Sequence, residues 1–490
     1  MIRQWGATVL VVGLMASTAA AQDAKTVIAT ASKAMGADNL NSITFYGSGA
    51  NFGLGQSNNA NGQWPRTNVN DYVRSIDFTL PVSRATGVTF AAPVTGGPAA
   101  QAPFQQNITK ENTAWAQQLE IWVTPWGFLK GAAVSNATAK AQTVGGRRFQ
   151  VVTWDAPIKS PGGAPYKVVG YINPANMVER VETWLENPIF GDMLVESIYT
   201  EYREAPGGVK YPAFIVQKRG GSPTFEAQIL GANANPANIQ QLVTSPPPPA
   251  GRGGGPGGPG GPAAAPGPTS EKLADGVYRI NGAYNALAVE FADHIFLYEP
   301  GPQNEARSQA IIAEAKKVIP NKPIRYGVIS HHHFDHTSGL PAAVAEGITI
   351  VTHQTNVPFF ERALSAPRTL APDSMSKSGK KLKIEGITGD KRVFQDATRT
   401  VEVHLVKGLP HADGNLIVYL PKERILAYAD MFNLPTAAAP VPNPPVTGTI
   451  VFLDNIERLK LDPERIMSVH SLNPDRLTSV ADIKASLGRK

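Results

Sequence analysis

The sequence predicts an α+β protein in which a β-rich, antiparallel-sheet domain precedes a domain of mixed helices and strands. Three observations predict it. Between residues 22 and 245, apolar and polar residues alternate in short segments separated by Gly, Pro or Asn, the period of half-buried strands. Residues 246–268 hold no aromatic or branched aliphatic side chain and cannot build a core. Beyond them, all nine histidines lie at or after His294, which concentrates that residue in one domain. A chain of 490 residues, 42% hydrophobic, is long and apolar enough for two cores.

Taken in order, residues 1–21 have a charged start at Arg3, the apolar core ATVLVVGLMA and the small-residue end Ala19-Ala20-Ala21. These are the parts of a secretory signal peptide cut after Ala21. One Arg rather than a twin pair points to export of the unfolded chain, with metal loaded afterwards. The chain has no cysteine, hence neither lipid anchor nor disulfide, and no other segment has 18 consecutive apolar residues. A periplasmic or secreted protein without stable membrane insertion is expected.

In the first domain, 22–245, a helix is expected at Ala24 to Met35. The segments SITFYGSGA, VRSIDFTL, EIWVTPW, RRFQVVTWDA, YKVVGYI, RVETWLE, LVESIYTEY and PAFIVQKR then read as a long antiparallel meander. Tryptophans 64, 115, 122, 126, 154 and 184 are expected in its core, with a cleft for an apolar ligand as the alternative. The prolines of 246–268 favour extended conformations with a reach of about 70 Å at ~3.1 Å per residue, and a mobile tether is expected there.

The second domain, 269–490, carries the chemistry. SHHHFDHTSG at 330–339 spells HxHxDH, a pattern of metal ligands. The apolar run Ile324 to Ser330 reads as a buried strand ending at the histidines, and a helix is expected at Leu340 to Glu346. In an extended segment, side chains two apart point the same way, so His331 and His333 can grip one ion while His332 points away. After a turn, Asp335 and His336 can reach a second. One loop cannot supply a full two-metal set, so further ligands are needed at the mouths of other strands. His411 in KGLPHADGN, Asp430 closing RILAYAD and His470 closing RIMSVH stand there. Among the other histidines, His332 reads as a packing or supporting residue and His294 as a surface residue. His353 reads as a cleft or helix-start residue, and His404 as facing one side of a strand.

From about 275 to 490 this order of ligands resembles the metallo-β-lactamase-fold hydrolases, and YNALAVEFADHIFLYEP at 284–300 resembles the paired strands that open that fold. The resemblance implies an αββα sandwich with the site along one edge of its two sheets. It implies His331, His333 and His411 on one metal, Asp335, His336 and His470 on the other, and Asp430 bridging. Ser471 stands where the family often has Gly. An Asp at 430 fits the dinuclear thioesterases and lactonases rather than the β-lactamases, which carry Cys or Ser there. His rather than Glu at 333 speaks against the diiron oxidoreductases.

Donors without sulfur suit two zinc ions, with manganese or iron as the other metals such a set accepts. A metal-bound water has its pKa lowered to about 7, which supplies hydroxide at neutral pH. Asp335 is the expected catalytic proton acceptor. The expected function is therefore hydrolysis of an ester, thioester or lactone-type bond. The alternatives are a β-lactamase or alkylsulfatase-like hydrolase of the same fold, or a non-catalytic periplasmic binding protein. The Pro-rich stretch Phe432 to Gly448 and Pro358-Phe359-Phe360 read either as walls of the pocket, which would suit a small, moderately apolar substrate, or equally as ordinary loop and core packing. A net charge of +6, without a dense Lys/Arg tract, leaves nucleic acid an unexpected partner.

Overall fold

The computed structural model describes residues 23–91, 100–244, 268–435 and 440–489. The signal peptide expected at 1–21, and the linker apart from Pro268, lie outside the described residues. Among the described residues, no helix is long and apolar enough to cross a membrane.

Alternation in the first half builds one antiparallel sheet of eleven strands. Four run in hairpin order from Ser42–Phe52 to Ala100–Ile108, and seven from Thr138–Val144 to Ser222–Ala234. The sheet's first and last strands pair with each other, Ile43 opposite Ala234, so the expected single meander is two. The division falls where EIWVTPW, read as a strand, is instead part of the helices Trp115–Trp122 and Pro125–Val134. Thr124 Oγ1 accepts from Gly127 N at 3.1 Å, and Pro125 sits in the first turn, where its missing N–H is no loss. Those start signals outweigh the apparent alternation.

Helix Ala24–Ala34 puts Val27, Ile28 and Ala31 into the same core as Trp115, Trp126 and the inward residues of the strands. Gly191–Glu204 shows why the sequence reads so clearly: along most of its length buried and half-buried positions alternate, as one covered face requires. Trp115, Trp126 and Trp154 are buried. Trp115 and Trp154 also line, with Trp122, a cavity of about 430 Å³, so core and cleft share these residues.

The second domain stacks a seven-stranded sheet, Ser270–Ala274 to Lys383–Ile387, on a five-stranded one, Lys391–Gln395 to Arg465–Ser468. Leu287, Val289 and Phe296 of the first interleave with Val403, Val418 and Met467 of the second. The intervening Ala286, Ala288 and Leu297 face helices Glu305–Val318, Leu340–Glu346 and Val357–Leu364. On the far side, Ile417, Tyr419 and Ile466 face helices Thr447–Arg458 and Val480–Ser486. This is an αββα sandwich. With both faces covered, strands such as Leu416–Leu420 are apolar throughout, and each fully buried Leu, Ile or Val contributes about 1.5–3 kcal/mol.

The two domains touch directly, which a bare tether would not predict. Asp192, at the start of strand Gly191–Glu204 of the first domain, accepts from Thr369 N, Thr369 Oγ1 and Leu370 N at 2.9, 2.6 and 2.9 Å. Phe190 packs edge-on against Phe334 and Phe359 at centroid distances of 5.4 and 6.0 Å. Loop 53–62 of the first domain reaches the rim of the sandwich, where the predicted ligands lie.

Candidate metal centre

Strand ends deliver those ligands. His331 and His333 follow Ile324–Val328, and Asp335 and His336 sit in the one-turn helix Phe334–Thr337. His411 precedes Leu416–Leu420, Asp430 follows Ile425–Tyr428, and His470 follows Arg465–Ser468. The structure brings them into three overlapping groups: His331, His333 and His411; His331, His336 and Asp430; Asp335, His336 and His470. Within each, the ligand atoms lie within 4.8 Å of one another. His411 Nε2 is 3.3 Å from His331 Nε2, and His470 Nε2 is 3.2 Å from His336 Nε2. Two imidazoles on one tetrahedral zinc, each at about 2.05 Å, would hold their nitrogens roughly 3.3 Å apart. The donor set therefore fits an ion. Asp430 lies between the two sets, with Oδ2 2.8 Å from His336 Nε2 and 3.4 Å from His331 Nε2, and Oδ1 2.8 Å from His470 Nε2.

Four of the ligands are held from behind. Glu299, fully buried, accepts from Ser330 N at 2.6 Å and pairs with His336 Nδ1 at 2.7 Å. That bond leaves His336 Nε2 facing the cluster. Ser330 Oγ meets His331 Nδ1 at 2.9 Å, and Tyr284 OH donates to Asp335 Oδ2 at 3.0 Å. From the first domain, Gln56 Nε2 donates to Asp335 Oδ1 at 2.9 Å, and the Ser57 carbonyl accepts from His333 Nε2 at 2.9 Å. A carbonyl only accepts, so His333 carries its proton on Nε2 and presents the lone pair of Nδ1, a buried atom with no other partner. Glu299 and Asp430 have φ of 63° and 60°, left-handed values that cost about 1 kcal/mol or more each outside glycine. Both turn the chain at a strand end and aim a carboxylate at the cluster.

The electrostatics divide the cluster. Burial, then the neighbouring imidazoles, push His331 well below its ordinary value; burial first takes His333 down to about 3. Burial would raise Asp430, but His336 outweighs it and holds the carboxyl well below the usual range. His336 goes up for the same reason: burial opposes the shift, and Asp430 and Glu299 overcome it. Positive charge is thus favoured between these carboxylates. The His331 and His336 side chains are fully buried, whereas Asp335 and His470 are 33% and 30% exposed, so the cluster opens on their side.

The remaining histidines divide between expectation and correction. His332 packs behind the cluster, its Nε2 2.8 Å from the Ser57 carbonyl. His353 starts the next turn, accepting from Thr355 N at 3.4 Å, and His404 is buried on its strand against Glu402. His294 is not a surface residue: it is 7% exposed, stacked on Phe291 and paired with Asp293 at 2.6 Å. Phe359 and Phe360 take the packing alternative: both are buried, Phe359 against Phe190. Residues 436–439 of the stretch 432–448 lie outside the described residues, and Phe432 is in the core. Ser471, in place of the family's Gly, donates from N to Ala283 O at 3.1 Å and from Oγ to Gly282 O, tying the last ligand's turn to the Tyr284 loop. Sequence reasoning missed Glu299, Tyr284, Gln56 and Ser57. An acidic residue directly after the buried run IFLY was the one usable signal.

Residues 279–465 match the model of the metallo-beta-lactamase superfamily. The second domain belongs to that superfamily, whose members are mostly but not all hydrolytic. Among solved structures, a metallo-beta-lactamase from Pontibacter korlensis is 16% identical over 45% of this chain and 97% of its own, with a TM-score of 0.33. One from Hirschia baltica is 18% identical over 45% and 96%, with a TM-score of 0.34. Rubredoxin oxygen:oxidoreductase from Desulfovibrio gigas is 17% identical over 45% and 61%, also with a TM-score of 0.34. No curated protein matches the chain.

Proposed function

We propose that this protein is a secreted or periplasmic dinuclear zinc-dependent hydrolase that cleaves an ester, thioester or lactone-type bond in a small, moderately apolar molecule. The observation that carries the reading is the convergence of seven donors with Asp430 between two imidazole sets. His331, His333 and His411 would hold one ion, Asp335, His336 and His470 the other, and Asp430 both. Closed structural zinc sites take four ligands; a larger set with an open edge suits catalysis. Bound metal supplies two things there, a lowered pKa for water and polarisation of the electrophile's oxygen. The protein supplies the rest. Asp335 lies on the open edge, held through both oxygens by Tyr284 and Gln56, where a carboxylate can take a proton from water and hand it to a leaving group. The preference for an apolar substrate rests on the Pro-rich stretch 432–448 alone, because Phe359 and Phe360 are packed away.

Elemental analysis of the purified mature protein, with turnover of esters, lactones, thioesters and nitrocefin before and after chelation, tests the reading. About two zinc ions per chain and chelator-sensitive hydrolysis are expected, and His333→Ala should lose both metal and turnover. No metal after reconstitution, or full activity in His333→Ala, would overturn it.

A further inference from the structure

Loop 53–62 joins strands Ser42–Phe52 and Arg66–Asp77 of the first domain, yet many of its polar contacts are made to the second. Gly55 O accepts from Phe334 N at 3.3 Å. Gln56 and Ser57 reach Asp335, His332 and His333 as described. Asn58 Nδ2 donates to Pro410 O, and Asn58 O accepts from Asp413 N, each at 2.7 Å. The loop therefore grips two of the four segments that carry ligands, 331–336 and 410–413, the latter on either side of His411. Its fit depends on Gly55, whose φ is +74° and whose added Cβ would strike the Phe334 ring.

We propose that this loop is part of the metal centre, with Gln56 as a positioning residue for Asp335 and the Ser57 carbonyl as the positioning group for His333. Metal affinity in the second domain then depends on the first. The Gln56 amide donates to one carboxylate oxygen while Tyr284 donates to the other, so together they fix the carboxylate plane. Ser57 fixes which His333 nitrogen carries the proton. Losing such a support typically costs 10–100-fold in metal affinity. A contact that merely docked the domains would have no such effect, and Asp192 provides that comparison, since it binds 369–370 away from the ligands.

The inference rests on the metal reading above, and its test separates the two. Zinc affinity and the cobalt(II) absorption spectrum would be measured on the full mature chain of the wild type, Gln56→Ala, Gly55→Ala and Asp192→Ala, with circular dichroism to verify folding. Gln56→Ala is expected to weaken one ion about tenfold and shift its cobalt bands. Gly55→Ala should weaken both ions by about 10–100-fold, and Asp192→Ala should leave affinity within about twofold. Wild-type affinity and spectra in folded Gln56→Ala would overturn the inference and leave the metal reading intact. Equal losses in Asp192→Ala and Gly55→Ala would reduce the loop to a docking device. A wild type that binds no metal would remove both.

Discussion

His331, His333 and His411 form the inner side of the cluster, and Asp335, His336 and His470 the outer, and the two sides are held by different means. The inner imidazoles lean on uncharged groups: the Ser330 hydroxyl, the Ser57 carbonyl and, at 3.5 Å from His331, the Asn415 amide. The outer side leans on charge, with the Glu299 carboxylate behind His336 and the Asp335 carboxylate on the open edge. Without metal, burial favours the neutral forms of His331 and His333, whereas the Asp430 and Glu299 carboxylates favour a proton on His336. His331 is shut off from solvent while Asp335 and His470 are partly exposed, so the cluster opens on the outer side.

The largest expected effect falls on the one residue common to both sides. Asp430→Ala should cost on the order of 10³-fold in turnover and weaken both ions, read by steady-state kinetics and metal titration; wild-type affinity for either ion would deny its shared position. Next is the response to acid of the metal-free protein. Burial first holds His332 at about 4 and His333 at about 3 in the folded state, both below the ordinary 6.5. The unfolded chain therefore takes up these protons first. Their contribution to stability is full above pH 6.5 and is lost as pH falls through the interval down to about pH 3, by about 3 kcal/mol for His332 alone. His336 has the opposite sign: its contribution is present below pH 6.5 and lost as pH rises through its raised value. Thermal melts of chelated protein, with a shallower acid dependence in His332→Asn, would check this; a flat profile would break the contrast.

Glu299→Gln tests the charged support of the outer side. It should weaken the outer ion by about 10–100-fold and spare the inner one, as metal titration would read; equal weakening of both would merge the two sides. The smallest effect is expected from Tyr284→Phe, which removes one hydrogen bond to Asp335. At about 1 kcal/mol this is roughly a fivefold loss of turnover, with the ions retained.

The same contrast explains what could be read from the chain. The ligands were legible because metal chemistry restricts residue type and spacing at once: HxHxDH with His411, Asp430 and His470 leaves little freedom. The αββα frame followed from that resemblance, and helix Leu340–Glu346 from its local pattern. The supports were not legible. The Ser57 carbonyl lies 276 positions from His333, and since every residue has a carbonyl, no residue type marks it. His294 was misread because its turn, FADH, looks polar while Phe291 covers the ring. EIWVTPW was misread because alternation over a few residues is weaker than the Thr124-Pro125 helix start.

The meeting of the sheet's first and last strands, Ile43 against Ala234, has a consequence for biosynthesis. The hairpin bearing loop 53–62 is made early, but the strand Ser42–Phe52 gains its second neighbour only after Ser222–Ala234 has emerged. Contacts of such sequence separation form slowly. Until that strand is available the outer edge of Ser42–Phe52 is open, and the histidines at 331–336 follow it in the chain, so in vectorial order the scaffold precedes its metal ligands.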